Sequence, residues 1–413
     1  MQTLMSLALV VLVTVATLAH AAHLPVDPCD HGAVGDGVAD DTAAIQSALA
    51  VAADTSRIVA LRPGSYLISA VLDVPHGVTL SGAMPRWEDS TTTIVVAQEG
   101  FSAVRLNNHS TVRALRFLYP NNREGAEPRE YPPTVLLVGI NPSVEHIVFD
   151  GAYIGVSPPP EGANTGQSLF RDLTGHVHKT GIRLDGIRDI ARIEDVHWFV
   201  PGVGSTGGWF RDNRVGFEFG SVDGIIMSRC FMIGGKAFVH QQAQNGSGND
   251  VHSLGIHVTQ CWTEAVKYGF LIEGTCGLVL SDTQIYVSHA DGIGIAMRMP
   301  HLYYHSTITN TQIRLDGDAE TKVGIEYAPT GDHSRNHLMV AQCEIVEGAA
   351  GIRLGERARR VIVKNNHIRT GQIGIDIAEG ASQLIVKDNI ISAPTPIADL
   401  SGDEATKVIA DNL

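Results

Sequence analysis

The chain has 413 residues, 44% hydrophobic and only 18% charged, with a formal net charge of −14. That balance argues against a nucleic-acid binder, which needs a basic footprint, and any anionic ligand would need a local basic patch. The 43 glycines suit an all-β chain rich in turns.

Residues 4–18 are apolar, and Ala19-His20-Ala21 is an A-x-A cleavage pattern. The expectation is a signal peptide over 1–21, cut before Ala22, and a secreted or periplasmic protein. An uncleaved anchor is the alternative, because no Lys or Arg precedes Arg57. No other apolar run is long enough to span a bilayer, so no membrane partner is expected after cleavage. Everything from 22 to 413 is read as one domain.

The stretch 27–56 reads as an N-terminal cap. Gly35-Asp36-Gly37 predicts a tight turn, and Asp40 or Asp41 can cap a helix running through Ile45 and Leu49. The same three carboxylates could suggest a metal loop, but turn and capping roles explain them more simply. Strand-like runs follow at Val59-Ala60-Leu61 and Val78-Thr79-Leu80. This opening resembles that of the pectate-lyase-like superfamily, which includes polygalacturonases, rhamnogalacturonases, epimerases and phage tailspikes. A second resemblance, to a bacterial pectate-lyase-like or polygalacturonase-related subgroup, covers 111–200. It is carried by Phe117-Leu118-Tyr119-Pro120, Tyr131-Pro132-Pro133-Thr134 and Arg192-Ile193-Glu194-Asp195-Val196-His197-Trp198. The resemblance implies fold more than reaction, because one scaffold hosts many chemistries. Asp-Asp occurs only at Asp40-Asp41, His-Gly only at His31-Gly32 and His76-Gly77, and Arg-x-Lys not at all. The polygalacturonase catalytic set therefore does not carry over.

From about residue 145 onward a phrase recurs: aliphatic, any, aliphatic, any, a polar pair, any, aliphatic. The pair is Asp150-Gly151, Asp172-Leu173, Asp195-Val196, Arg229-Cys230, Gln260-Cys261, Asp282-Thr283, Asn310-Thr311, Gln342-Cys343, Asn365-Asn366 and Asp388-Asn389. Steps of 22–34 residues between first members mark stacked coils with loop insertions. Alternation on either side is strand behaviour, and the second polar slot predicts a line of stacked side chains at 283, 311, 343, 366 and 389. A second strand, usually opened by Gly, follows each first one, as in Gly351-Ile352-Arg353-Leu354; Gly is read there as permitting positive φ. The fold expectation is an all-β, single-stranded right-handed parallel β-helix of about 11–12 coils with an N-terminal capping helix. A β-sandwich is the alternative, disfavoured because hairpin signals are scarce. The five cysteines are odd in number; Cys230 and Cys261 share a slot in adjacent coils and read as stacked thiols or a bridge. Asn108-His109-Ser110 and Asn245-Gly246-Ser247 are glycosylation sequons.

Insertions at 115–147, 199–215 and 242–253 place a groove near coils 150–290. Outward positions there include Arg183, Asp185, Glu218, Gln241 and Glu273 on the second strand, and Glu194, His197, Trp262 and Gln284 on the first. Glu218 beside Arg183 and Asp185 is the leading catalytic constellation, with His197, Asp195 and Glu273 as further candidates; two carboxylates across a groove suffice for glycoside hydrolysis. A solvated strand with a surface ion pair explains the same residues without catalysis. Residues 171–214 hold seven bases against six acids, so Arg183, Arg211 and Arg214 are candidate partners for a uronate carboxylate. Trp209, Trp262, Phe231 and Tyr268 are candidate sugar platforms, although some aromatics belong in the core. His176-Val177-His178 sets two imidazoles on one face without a third ligand, so no metal site is expected. No cofactor is evident, with Ca possible if the protein is a lyase. The expectation is a secreted enzyme on an acidic, pectin-like polysaccharide, hydrolysing it; a lyase or an epimerase is the alternative, as is a non-catalytic glycan-binding β-helix. Monomer and trimer both remain open.

Overall fold

The computed structural model describes residues 24–83, 92–122, 128–199, 208–300, 304–317, 321–331, 337–402 and 406–413. The expected signal peptide lies outside them. No described helix is long and apolar enough to cross a membrane.

Each coil closes its backbone hydrogen bonds with the next coil, so strands pair in parallel with the equivalent strand about one repeat later. The last coils show the pattern cleanly. Val340, Val363, Val386 and Ile409 are in register. Beside them run Ile345, Ile368 and Ile391, then Ile352, Ile375 and Ile397. A coil thus holds three short strands, such as Arg359–Lys364, His367–Arg369 and Ile373–Ile377, rather than the two expected. The sequence reading merged the first two because the polar pair bends the chain without breaking the alternation.

That bend has one conformation throughout. Asp172, Asp195, Arg229, Gln260, Asp282, Asn310, Gln342, Asn365 and Asp388 all sit at φ between 47° and 57°. This left-handed region costs an ordinary residue about 1–2 kcal/mol, and Asp and Asn tolerate it best. The expected first slot at Asp150 is corrected: Ile147 pairs with Leu173, so His146, at φ 53°, aligns with Asp172. The next residue of each pair points inward. Asn366 and Asn389 are fully buried, as are Cys230, Thr283 and Thr311. All five cysteines are free thiols, and Cys230 and Cys261 stack as buried neighbours.

The glycines that open the third strand are not at positive φ, which corrects the expectation. Their reason is space. A Cβ on Gly324 would lie 2.5 Å from the Gly351 carbonyl oxygen, and one on Gly351 would lie 2.6 Å from that of Gly374. In the middle coils Phe149, Trp198, Phe217, Phe238 and Phe270 form an aromatic row along the axis, with centroids 5.3–6.4 Å apart. Toward the C-terminus Ile295, Ile325, Ile352 and Ile375 continue the interior, each contributing about 1.5–3 kcal/mol by burial.

Near the N-terminus the helix Thr42–Asp54 buries Ile45, Ala48, Leu49 and Ala52 against the core. Asp41 precedes it but makes no side-chain cap; its carboxylate accepts the Val34 and Gly35 amides at 2.6 and 3.1 Å. Asp40 instead accepts the Thr42 amide at 3.0 Å, and Asp36 accepts those of Val38 and Ala39 at 2.8 Å.

Candidate functional site

The outward face of the third strand carries a row of polar side chains across successive coils. Arg183 pairs in register with Glu218, and Glu218 with His240. His240 aligns with Leu271, and Glu273, two residues on, reaches back to it. His240 Nε2 lies 2.8 Å from Glu273 Oε2, and Nδ1 lies 3.9 Å from Glu218 Oε1. Glu218 Oε1 also accepts the Gln242 side-chain amide at 2.9 Å. One imidazole therefore stands between two carboxylates from neighbouring coils. His240 itself is buried, Glu218 is partly covered, and Glu273 is the most open of the three. The His240 hydrogen bond, helped by Lys236 and Arg298, outweighs desolvation and holds Glu273 below the ordinary carboxyl range.

Glu273 borders a hollow of about 250 Å3 lined also by Asp212, Lys236, Lys267, Tyr268 and Arg298. Lys267 is anchored by Asp291 at 2.6 Å and Arg298 by Glu326 at 2.7 Å. Both cations lie over the Tyr268 ring, at 5.7 and 6.0 Å from its centroid. The hollow so combines the carboxylates of Glu273 and Asp212, an aromatic ring and three cationic side chains. Such a site can take a proton or activate water beside an anionic ligand group.

The structure brings Glu218 and Glu273 together and sends several other expected residues elsewhere. Asp185 is only 1% exposed; its Oδ1 accepts the Ser221 amide at 2.9 Å, so it fixes a turn and does not face the groove. Arg183 lies under the neighbouring loop, donates to the Pro160 carbonyl at 3.2 Å and stands 3.9 Å from Asp185. Gln241 is fully buried and bonds Ser253 Oγ at 3.0 Å; His240 takes the outward position assigned to it. Asp195 sits in the left-handed bend, gripping Arg229 through two bonds of 2.7 and 3.0 Å, and that partner holds its carboxyl low. His197 does not face a groove freely. It lies between Phe199 and Phe231, with centroids at 4.1 and 4.3 Å, and burial lowers its pKa.

Of the expected anion partners, Arg211 is exposed on the short helix Gly208–Asn213, but Arg214 is 1% exposed. Its guanidinium donates to the carbonyls of Val177 at 2.9 Å, Ile233 at 2.8 Å, Gly234 at 3.3 Å and Phe199, and burial pulls its pKa down to about 9. It tethers strands and cannot reach a ligand. Trp209 is partly buried against Tyr153 and Phe210. Trp262 is 48% exposed but belongs to a second groove on another face, without Glu218, His240 or Glu273. That groove runs toward Arg369, beyond the expected span of coils 150–290. His178 is buried and bonds the Asn122 carbonyl at 2.6 Å. Among the described residues no three His, Cys, Asp or Glu side chains are grouped to hold a metal ion.

His240 was missed through one residue of register. Aligning Lys236-Ala237-Phe238-Val239-His240 on Arg214-Val215-Gly216-Phe217-Glu218 would have found it, but Phe238 fills a slot that Gly occupies in the neighbouring coils. Lys236, Lys267 and Arg298 gave no local signal, because coil stacking alone brings them together.

Residues 29–117 match the family "Rhamnogalacturonase A/epimerase, pectate lyase-like", and 245–412 match "Right handed beta helix region". A stretch of 57 residues is 46% identical to a non-secreted LysM effector of Penicillium expansum, covering 14% of this chain and 4% of that protein. Among solved structures, the bacteriophage Phi29 gene product 12 N-terminal fragment superposes with a TM-score of 0.71 at 14% identity, covering 92% of this chain and 68% of that one. The catalytic unit of the GH87 α-1,3-glucanase of Streptomyces thermodiastaticus gives 0.54 at 14% identity, covering 94% and 68%. The chain thus carries a pectate lyase-like segment over residues 29–117 and a right-handed β-helix region over residues 245–412.

Proposed function

We propose that the chain is a secreted enzyme that hydrolyses an acidic, pectin-like polysaccharide, with Glu218 and Glu273 as its carboxylate pair. The observation that carries this reading is the row Glu218–His240–Glu273 beside a cation-lined hollow. The two carboxylates flank one imidazole ring, so their facing oxygens lie no more than about 9 Å apart, and two-carboxylate glycosidases need their carboxyl groups within about 10 Å. Glu273, kept ionised, takes a proton from water as its oxygen adds to the anomeric carbon. Glu218 delivers a proton to the departing glycosidic oxygen. His240 touches neither reactant; it positions Glu273. Lys236, Lys267 and Arg298 face the uronate carboxylates, the role expected from sequence of Arg183, Arg211 and Arg214. The likeness to a glucanase catalytic unit is consistent with this use of the scaffold, although it speaks to fold alone.

Incubation with polygalacturonate and other acidic polymers tests the reading. New reducing ends that disappear in Glu273→Gln support it. An unsaturated uronate absorbance would replace hydrolysis with elimination, and altered sugar composition without cleavage would indicate epimerisation. Binding without any product would point to a non-catalytic glycan-binding protein.

A further inference from the structure

The second groove differs in chemistry from the Glu273 hollow, and it lies on the strand that follows the bend. Trp262, Gln284, Gln312 and Glu344 stand in register on four successive coils. At the strand spacing of a parallel sheet this row is about 14 Å long. The groove over it has a volume of about 550 Å3, in the range of ligand sites. Trp262 opens the row as a large exposed ring. Tyr286 lies alongside, with the Arg314 guanidinium 5.7 Å from its centroid.

We infer that this groove is a second carbohydrate-binding site, for an extended neutral glycan. Exposed aromatic faces take the C–H side of a sugar ring, and a ladder of planar amides and carboxylates supplies paired donors and acceptors for hydroxyls. Charge decides against an acidic ligand. Glu264, Glu344 and Glu347 line the groove with Arg314 and Arg369, and Arg314 Nε is already 3.6 Å from Glu347 Oε2. Three acidic and two basic side chains line this groove, whereas three basic and two acidic ones line the Glu273 hollow. The regular spacing of the polar row matches a repeating polymer better than a compact metabolite. The inference does not depend on the cleavage chemistry proposed above.

Affinity electrophoresis of the full chain through gels containing hydroxyethylcellulose, galactomannan, xylan or polygalacturonate tests it. Retardation by at least one neutral polymer is expected, weakened about tenfold or more in Trp262→Ala and in Gln312→Ala. Both side chains are exposed, and an unchanged melting temperature would show that the fold is intact. Glu273→Gln should be retarded like the wild type, which separates this site from the proposed catalytic one. Retardation by polygalacturonate alone, by no polymer, or equally for wild type and Trp262→Ala would overturn the inference. So would a self-association, seen by sedimentation, that Trp262→Ala abolishes while glycan retardation is absent.

Discussion

The side-chain amide of Asn366 donates to Asn389 Oδ1 at 2.9 Å, and the Asn366 backbone amide donates to the same oxygen at 3.0 Å. Asn389 repeats both bonds with Asn412, at 2.8 and 3.2 Å. In the other direction Cys343 donates its backbone amide to Asn366 Oδ1 at 3.0 Å. The bend buries one backbone amide per coil that no strand pairs, and a side chain from the next coil satisfies it. Where Asn is missing the device continues with weaker acceptors: Cys261 donates to Thr283 Oγ1 at 3.4 Å, and Cys230 to Cys261 Sγ at 3.5 Å.

Replacing Asn366 by Leu should cost about 1–3 kcal/mol, since it strands the Cys343 amide and leaves the Val340 carbonyl without its 3.1 Å donor. Urea denaturation measures this. Thr311→Val, which removes a hydroxyl that donates to the Thr309 carbonyl of its own coil at 3.0 Å, should cost less than Asn366→Leu. Equal and negligible losses would show that the ladder is not a source of stability.

The ladder also shows what could be read in advance. The slot series at 283, 311, 343, 366 and 389 was legible because one turn conformation repeats and admits few residue types. The inward aliphatic columns were legible for the same reason. The site was less so. Asp185 looked outward by alternation, but the chain turns at Gly186 and folds that carboxylate under Ser221. Arg214 looked like one of several surface bases, yet its guanidinium is buried and donates to four backbone carbonyls. Which cations converge on Glu273 depends on insert lengths between coils, which local pattern does not encode.

Glu273→Gln should lower turnover by about 10²–10⁴-fold while leaving the fold intact, because the amide keeps its shape but cannot take a proton. Glu218→Gln should act similarly. His240→Asn should lower turnover less and move the acid limb of the pH profile upward, since Glu273 loses the hydrogen bond that holds its pKa down. Full activity in both glutamine variants would eliminate this pair. An unchanged pH profile in His240→Asn would deny His240 its positioning role.

Arg214 and Arg211 should separate cleanly. Arg214→Met abandons the carbonyls of Val177, Phe199, Ile233 and Gly234 in the interior and should cost about 3 kcal/mol or more. Arg211→Ala, on an exposed helix, should stay within about 0.5 kcal/mol. Thermal unfolding of the two variants is the measurement. A stable Arg214→Met protein with a raised KM for an acidic polymer would restore the ligand role that burial denies it.

Stability should fall on mild acidification, and His178 is a principal cause. Burial, with Arg214 and His176 nearby and Asp150 opposing them, pushes its pKa down from 6.5 to about 4. Its Nε2 serves the Asn122 carbonyl, and Nδ1 is buried without a hydrogen bond. Between those two values the unfolded chain binds a proton that the folded one refuses. The contribution is therefore fully present above pH 6.5 and is lost as pH falls toward about 4, by up to about 3 kcal/mol. His178→Gln keeps a donor for the Asn122 carbonyl and does not titrate, so its stability curve should be flatter over that window. Some slope should survive, because burial and Arg211 also hold His289 down at about 4. Urea midpoints at pH 7, 6, 5 and 4.5 for wild type and variant measure the difference; identical slopes would mean that protonation of His178 does not oppose folding.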